Sequence, residues 1–380
     1  MTIHWCGTGL SAVPGLRRLI EEGRAVTVWN RTPEKARAAV GDLTEDIRAF
    51  DLGALAAALA PGDVVVSMLP GDWHVPIAEA AIAAGAHFVS SSYIAPEMRA
   101  LDAAAKEAGV ALVNEVGLDP GIDHLMAHRL VADYRASDAF DPANTLSFTS
   151  YCGGVPKQAN AFRYKFSWSP LGVLKALKSP SRSLRDFEEL RVARPWDAIS
   201  SYTAPLPAPE RFEVYPNRDS LPFMEEYGFD PDWRVKDFVR GTLRLEGWSE
   251  AWADIFRTVE DLPAGAEGEA VLRDLSERLW QEHAYDPGEP DRVVLCVGLE
   301  ATRDGAPVWH RTYVMDARGD ESGTAMGRLV SHMVAQAVRS VAAGEIAPGV
   351  SAAPSDPALV ARWMDEVARL AQHLEIVHHA

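Results

Sequence analysis

The sequence predicts an α/β protein with an N-terminal, doubly wound parallel sheet followed by a second, α+β domain. Three observations predict it. Over the first 125 residues, short β-branched runs alternate with alanine-rich helical runs. The length of 380 residues suggests two domains rather than one. After about residue 140 the texture changes, turn signals multiply, and seven of the 11 tryptophans fall between Trp168 and Trp309.

In the first region the strand candidates are Thr2–Cys6, Ala25–Asn30, Ile47–Asp51, Asp63–Leu69, Phe88–Ser91 and Ala111–Asn114. The helical stretches between them are Ala12–Glu22, Pro33–Val40, Leu52–Leu59, Trp73–Ala84 and Ala95–Ala108. Val13, Leu16, Leu19 and Ile20 share one helical face. Apolar strands separated by helices require a parallel sheet covered on both sides. Six strands with five helices make up a complete dinucleotide-binding, Rossmann-type sheet.

In the second region Arg292–Glu300, a turn at Asp304-Gly305 and Val308–Asp316 read as an antiparallel hairpin. Two late helices follow, Ala325–Ala342 and Leu359–Leu370, separated by a short linker from Pro348 to Pro357. The expected division is residues 1–125 plus about 322–380 for the nucleotide domain and 126–321 for an α+β substrate and dimerisation domain.

Charge excludes several function classes. Lys and Arg number 37 against 54 Asp and Glu, a net charge of −17, with 47% hydrophobic residues. So acidic a chain repels nucleic-acid phosphates and anionic membrane surfaces. No apolar run approaches the roughly 18 residues of a spanning helix. The opening MTIHWCGTG carries no basic leader with an apolar stretch, so no signal peptide is expected. Cys6, Cys152 and Cys296 are too few and too scattered for a disulfide framework or a metal knuckle, which points to a reducing, cytoplasmic setting. His124 and His128 stand four apart, but Leu125 occupies the place of the zinc-site glutamate, so no metal is expected.

Gly7-Thr8-Gly9-Leu10-Ser11-Ala12 follows the first strand and opens the first helix. In this G-x-G-x-x-A pattern the first glycine permits a tight turn and the second admits a pyrophosphate. The small Ala12 allows close helix packing, and the helix start offers N–H groups to phosphate. The second strand ends in Trp29-Asn30-Arg31-Thr32, without the carboxylate that holds the ribose of NAD. A guanidinium there pairs with a 2′-phosphate, and Asn30 and Thr32 add neutral donors, so NADP is expected and NAD is the less favoured cofactor. The alternative for Arg31 is a solvated residue at a helix start.

Two further strand ends bear polar groups, Ser90-Ser91-Ser92-Tyr93 and Asn114-Glu115-Val116-Gly117-Leu118-Asp119-Pro120-Gly121-Ile122-Asp123-His124. In an open α/β sheet, ligands lie beyond such carboxyl ends. Asp119, in an apolar turn, reads either as an acid–base group with a raised pKa or as the cap of the helix that follows. Cys152, between Tyr151 and two glycines, reads as a proton-transfer group or as a small packing residue.

These strings resemble the NADP-linked, glutamate-forming saccharopine dehydrogenase family. The resemblance also runs through Val65–Pro70, Ser150–Gly154, Tyr164–Pro170, Tyr215–Ser220 and Val239–Arg244, and covers at least residues 1–250. It implies oxidation of the secondary amine of saccharopine by NADP, the imine hydrolysing to glutamate and α-aminoadipate semialdehyde in lysine metabolism. It also implies substrate contacts at Ser92, Tyr93, Asp119, Arg218 and Thr242-Leu243-Arg244. Implied cofactor contacts are Leu69, Ser92, Leu118, Asp119 and Pro120, with Cys152 and Trp168 near the nicotinamide.

Saccharopine carries three carboxylates, so its site wants cations, and Lys165, Arg218 and Arg244 are the candidates; the alternative is ordinary ion pairing. The segment Val155–Arg163 departs from the family in being less acidic, and Lys157 and Arg163 are expected to add positive charge at the mouth of the site. Two other readings stand beside this one. One is a related imine or opine reductase such as carboxynorspermidine dehydrogenase; the other is a non-catalytic NADP-binding protein. A homodimer is expected from fold analogy.

Overall fold

The computed structural model describes residues 1–379. Its contacts divide the chain into one unit of Met1–Leu125 with Met326–Val367, and another of Met126–Ala325 with the residues from Ala368 on. The first unit holds β1 (Ile3–Cys6), β2 (Val26–Asn30), β3 (Ile47–Ala49), β4 (Val64–Ser67), β5 (His87–Ser90) and β6 (Ala111–Val113). The second holds β7 (Thr145–Pro156), β8 (Ser181–Arg185), β9 (Glu188–Val192), β10 (Ser200–Ala204), β11 (Glu210–Pro216), β12 (Arg234–Leu245), β13 (Asp291–Arg303) and β14 (Ala306–Arg318). Of two late strands, β15 (Gly349–Ser351) joins the first sheet and β16 (His373–His378) the second.

The first sheet is parallel in the order β15-β6-β5-β4-β1-β2-β3. The chain runs outward from β1 to β3, then returns to lay β4, β5 and β6 on the other side. The order therefore reverses between β1 and β4, the point at which such sheets open a ligand crevice. Every residue of β1 and β4 is buried, as strands covered on both faces must be. The helices end where the sequence punctuates them: His74–Ala84 and Asp102–Ala108 stop at Gly85 and Gly109, both left-handed.

The structure departs from the sequence expectation in four places. The stretch Ala95–Ala108 is two helices, Pro96–Arg99 and Asp102–Ala108, and the Asp102 carboxylate at the start of the second accepts from the Val350 N–H at 2.9 Å. The Pro348–Pro357 linker contains β15, which pairs with β6. Three residues show no periodicity, and backbone pairing alone makes that strand. The Trp73–Ala84 helix begins with a 3₁₀ turn at Gly71–Trp73. The residues after the helix Pro357–Leu370, expected with the nucleotide domain, instead form β16 antiparallel to β14.

The second sheet runs β10-β11-β12-β7-β13-β14-β16, antiparallel except for the β12–β7 pair, with the β8–β9 hairpin attached to β12. The hairpin expected at 292–316 is present and longer, spanning β13 and β14. One face carries Phe212, Val214, Leu243, Val294, Cys296 and Val314. The other packs under Trp248, Trp252, Phe256 and Leu272 from the helices of this unit. Strict alternation along β12 thus sends Leu243 to one face and Thr242 and Arg244 to the other. Among the described residues no helix is long and apolar enough to cross a membrane.

Candidate functional site

In the first unit, Gly7 leaves β1 with φ +104°, and a Cβ there would lie 2.8 Å from the Met68 carbonyl oxygen. Glycine is therefore required by the fold at this position. Gly9 differs, because a Cβ there would meet nothing within 4 Å, so only a ligand would object to it. Thr8 Oγ1 is buried without a hydrogen-bond partner, which suits a loop built to receive phosphate oxygens.

The first helix, Val13–Glu21, offers fewer donors than its position promises. Pro14 has no N–H, and that of Gly15 donates to Ser331 Oγ at 2.8 Å. Neither can serve a phosphate, which leaves the preceding Thr8–Ser11 loop as the candidate for that contact. Leu10 is largely exposed on this loop, and Leu69 lies beside Gly7.

Arg31 is exposed, and no carboxylate lies within ion-pair distance of it among the described residues. Asn30, expected as a neutral donor to phosphate, also braces the loop. Its Oδ1 accepts from the Thr8 N–H (3.3 Å) and its Nδ2 donates to the Thr32 carbonyl (2.8 Å), so its amide braces the loop against the end of β2. Thr32 caps the helix Pro33–Val40 only by position and makes no side-chain cap bond.

The ends of β4, β5 and β6 form the polar rim of this sheet. The Tyr93 hydroxyl donates to Asp119 Oδ1 at 3.0 Å, bringing together two of the expected substrate residues. Leu118 and Pro120 are buried on either side of Asp119, and the Asp119–Pro120 peptide is cis. The carboxylate that accepts the Gly121 N–H at the start of the helix Ile122–Arg135 belongs to Asp123 (2.7 Å). Glu115 has the left-handed φ of +55°, a strained choice for a non-glycine residue. Its carboxylate accepts from the Ile94 N–H (2.8 Å) and meets His124 Nε2 at 2.9 Å, which gives His124 a structural partner. Ser92 Oγ meets His74 Nε2 at 2.8 Å, and His74 Nδ1 meets Ser67 Oγ at 2.9 Å.

In the second unit, Cys152 on β7 lies opposite Thr242 on β12, and Thr242 lies opposite Tyr215 on β11. Arg244, two residues on from Thr242, shares their face. Arg244 is 6% exposed, and its guanidinium sits over three rings, Tyr164 (4.9 Å), Tyr215 (5.8 Å) and Trp248 (5.5 Å). It donates to the Leu243 carbonyl at 3.1 Å, and its Nε has no partner. The carboxylate across the strand, Glu213, is turned away to accept from the backbone of Gly247 and Ser249. No carboxylate pairs with Arg244 among the described residues, so a buried cation is left for an anion to neutralise.

Arg218 has φ +49°, the left-handed region, on the segment that also carries Asn217. Asn217 Nδ2 donates to Thr242 Oγ1 (3.0 Å), while its Oδ1 is buried and unpartnered. The Leu243 side chain is in the opposite core, so only its backbone can serve a ligand. Lys165 departs from expectation: its ammonium pairs with Glu289 at 2.5 Å, so its charge is already matched. Lys157 follows the last residue of β7. It lines a cavity of about 540 Å³ formed with Leu206, Arg292, Asp316 and His373. Trp168 is half-buried and packs on the same aromatic cluster as Tyr164. His128 packs edge-on against Tyr227.

His74, Glu115 and Asn217 escaped the sequence reading. The available signal was weak: Ser67 ends a buried strand, and His74 follows a Pro-Gly turn at a ligand-bearing rim.

Residues 3–113 match the family model described as the saccharopine dehydrogenase NADP binding domain, and residues 117–370 match the saccharopine dehydrogenase C-terminal domain. Among curated proteins, the chain is 38% identical over 251 residues to saccharopine dehydrogenase [NADP(+), L-glutamate-forming] of Pyricularia oryzae, covering 64% of this chain and 54% of that one. It is 35% identical over 260 residues to the Saccharomyces cerevisiae protein of the same name, covering 64% and 55%. The chain spans about half the length of these curated relatives. Among solved structures it is similar to the apo saccharopine dehydrogenase (L-Glu forming) from Saccharomyces cerevisiae, with a TM-score of 0.81 and 26% identity over 100% of both chains. It shares its fold with a homospermidine synthase from Legionella pneumophila, with a TM-score of 0.67 and 9% identity over 100% of this chain and 91% of that one.

Proposed function

The chain belongs to the saccharopine dehydrogenase family, and from that premise we propose that it oxidises the secondary amine of saccharopine with NADP, yielding glutamate and α-aminoadipate semialdehyde. The observation that carries this reading is Arg244, a buried guanidinium held in an aromatic cage with no carboxylate partner among the described residues. In a chain of net charge −17, such a residue makes sense as the receptor of a substrate carboxylate. Arg218 supplies a second guanidinium, and Lys165 drops out because Glu289 neutralises it.

The residues fit the cofactor. Thr8 and Gly9 take the phosphates, with an unpartnered hydroxyl and an open approach, and Arg31 takes the 2′-phosphate. When bound, NADP supplies the acceptor for a hydride from the ε-carbon of the lysine half of the substrate. Asp119 takes the proton of the amine on its carboxylate, and Tyr93 holds that carboxylate in place through its hydroxyl. Cys152, beside Thr242, contributes to the surroundings of the reacting carbon and to proton transfer. Ser92 and the backbone of Leu243 add hydrogen bonds to the bound ligands.

The proposal extends to a cytoplasmic homodimer acting in lysine metabolism. Three buried free thiols accord with a reducing compartment, and the dimer rests on fold analogy. The test mixes purified protein, NADP and saccharopine and follows reduced nicotinamide by absorbance. Reduction with saccharopine is expected, with a clear preference for NADP over NAD that Arg31→Ala lowers. Turnover only with a carboxylated polyamine, or nucleotide binding without any turnover, would overturn the reading.

A further inference from the structure

We infer that His74 is a positioning residue which, through a one-way relay from Ser67, fixes the Ser92 hydroxyl as a hydrogen-bond donor to an oxygen acceptor of the bound ligand. The acceptor is a carbonyl or carboxylate oxygen.

The relay lies along the ligand-bearing rim. Ser67 is the last residue of β4, in register with Ser90 at the end of β5, and Ser92 follows two residues later. His74 begins the next helix and bridges them, with Nδ1 2.9 Å from Ser67 Oγ and Nε2 2.8 Å from Ser92 Oγ. His74 is 7% exposed, and its imidazole packs edge-on against Phe88. Burial lowers its pKa to about 4, so it is neutral near pH 7 and carries one N–H.

Which nitrogen carries that hydrogen follows from counting donors. The Ser67 hydroxyl is 1% exposed, and His74 Nδ1 is the only side-chain or backbone partner its oxygen has among the described residues. A buried O–H without an acceptor is costly, so Ser67 donates to Nδ1. Nδ1 is then the acceptor, Nε2 bears the hydrogen, and Nε2–H donates to Ser92 Oγ. One lone pair of the Ser92 oxygen is thereby taken, and its own hydrogen must point away from His74.

The backbone holds this group still. The Ser92 N–H donates to Ser90 Oγ (3.1 Å), and its carbonyl accepts from the Glu115 N–H (3.1 Å). Ser92 is half-buried at the carboxyl end of β5, where an open parallel sheet places its ligand. The inference deepens the proposed function and rests on it for the ligand, but the polarity of the relay belongs to the free protein.

The test is the tautomer of His74, read by two-bond proton–nitrogen correlation on ¹⁵N-labelled protein without substrate and assigned by loss of the signal in His74→Gln. A neutral ring with hydrogen on Nε2 is expected; hydrogen on Nδ1, or a cationic ring at pH 7, would overturn the inference. Ser67→Ala removes the bias at its source with little change of volume, and the spectrum is expected to shift toward a mixture of tautomers. In steady-state kinetics His74→Leu and Ser92→Ala are each expected to lower kcat/KM by about 10-fold, and the double variant by no more than either alone. His74→Gln, which keeps an N–H facing Ser92, is expected to retain more activity than His74→Leu. Multiplying losses in the double variant would show that the two residues act separately and would sink the relay. Absence of turnover in the unaltered protein would instead count against the proposed function and leave the tautomer result standing.

Discussion

The Tyr93 hydroxyl donates to Asp119 Oδ1 across 3.0 Å, joining the end of β5 to the segment after β6. The bond joins a candidate acid–base group to the residue that orients it. Replacing Asp119 by Asn keeps the shape and removes the titrating group, and a fall in kcat of about 100-fold or more is expected. Tyr93→Phe removes the orienting hydroxyl and should cost about 10-fold. Near-normal turnover in Asp119→Asn would remove the acid–base assignment.

Arg244 predicts a different kinetic signature. Lysine at this position keeps the charge but loses both the planar fork and its stacking on Tyr164, Tyr215 and Trp248. Arg244→Lys is expected to raise the KM for the amino-acid substrate by about 10- to 100-fold and leave the KM for NADP within about 2-fold. An equal rise for both ligands would mean that the substitution had disturbed the unit as a whole.

Two glycines, one in the nucleotide loop and one in the helix after it, separate stability from binding. A Cβ on Gly15 would lie 2.0 Å from the Ser331 carbonyl oxygen, a backbone atom that cannot swing away. Gly15→Ala is expected to destabilise the protein by about 2–3 kcal/mol, visible as a lower urea midpoint. Gly9→Ala meets nothing within 4 Å, so its stability should be unchanged while NADP affinity falls, as titration with the nucleotide would show.

Acid should weaken the fold through two buried histidines. Burial lowers His74 and His332 to about 4, with Arg18 also opposing charge on His332, whereas in the unfolded chain both titrate near 6.5. Between those values the unfolded chain binds protons that the folded one excludes, so stability is full above about pH 6.5 and declines as pH falls toward 4. Each residue contributes up to roughly 3 kcal/mol over that range. Urea unfolding at pH 7 and pH 5 checks the sign, and His74→Gln should flatten the slope.

Much of the first unit is legible in the chain because its signals are local. Gly7, Gly9 and Ala12 sit between a strand and a helix, and burial on both faces dictates runs such as Val64-Val65-Val66. Arg31 is legible too, since the absence of a carboxylate at the end of β2 is a fact of composition. Three-residue β15 is not legible, because it is a strand only through its partner β6. Nor is β16, whose pairing with β14 joins residues about 60 positions apart.

The sequence by itself determined the α/β class, the nucleotide loop, the preference for a 2′-phosphate and a set of candidate polar residues. Each of these follows from nearest neighbours along the chain. Tertiary structure alone decided how those residues are used. It neutralised Lys165 with Glu289 and left Arg244 buried without a carboxylate. It spent the amide of Asn30 on bracing Thr8, and it set His74 between Ser67 and Ser92. The physical reason is that charge and hydrogen-bond capacity are settled by whatever group lies within about 3 Å. At that range the partners are chosen by folding and not by distance along the chain.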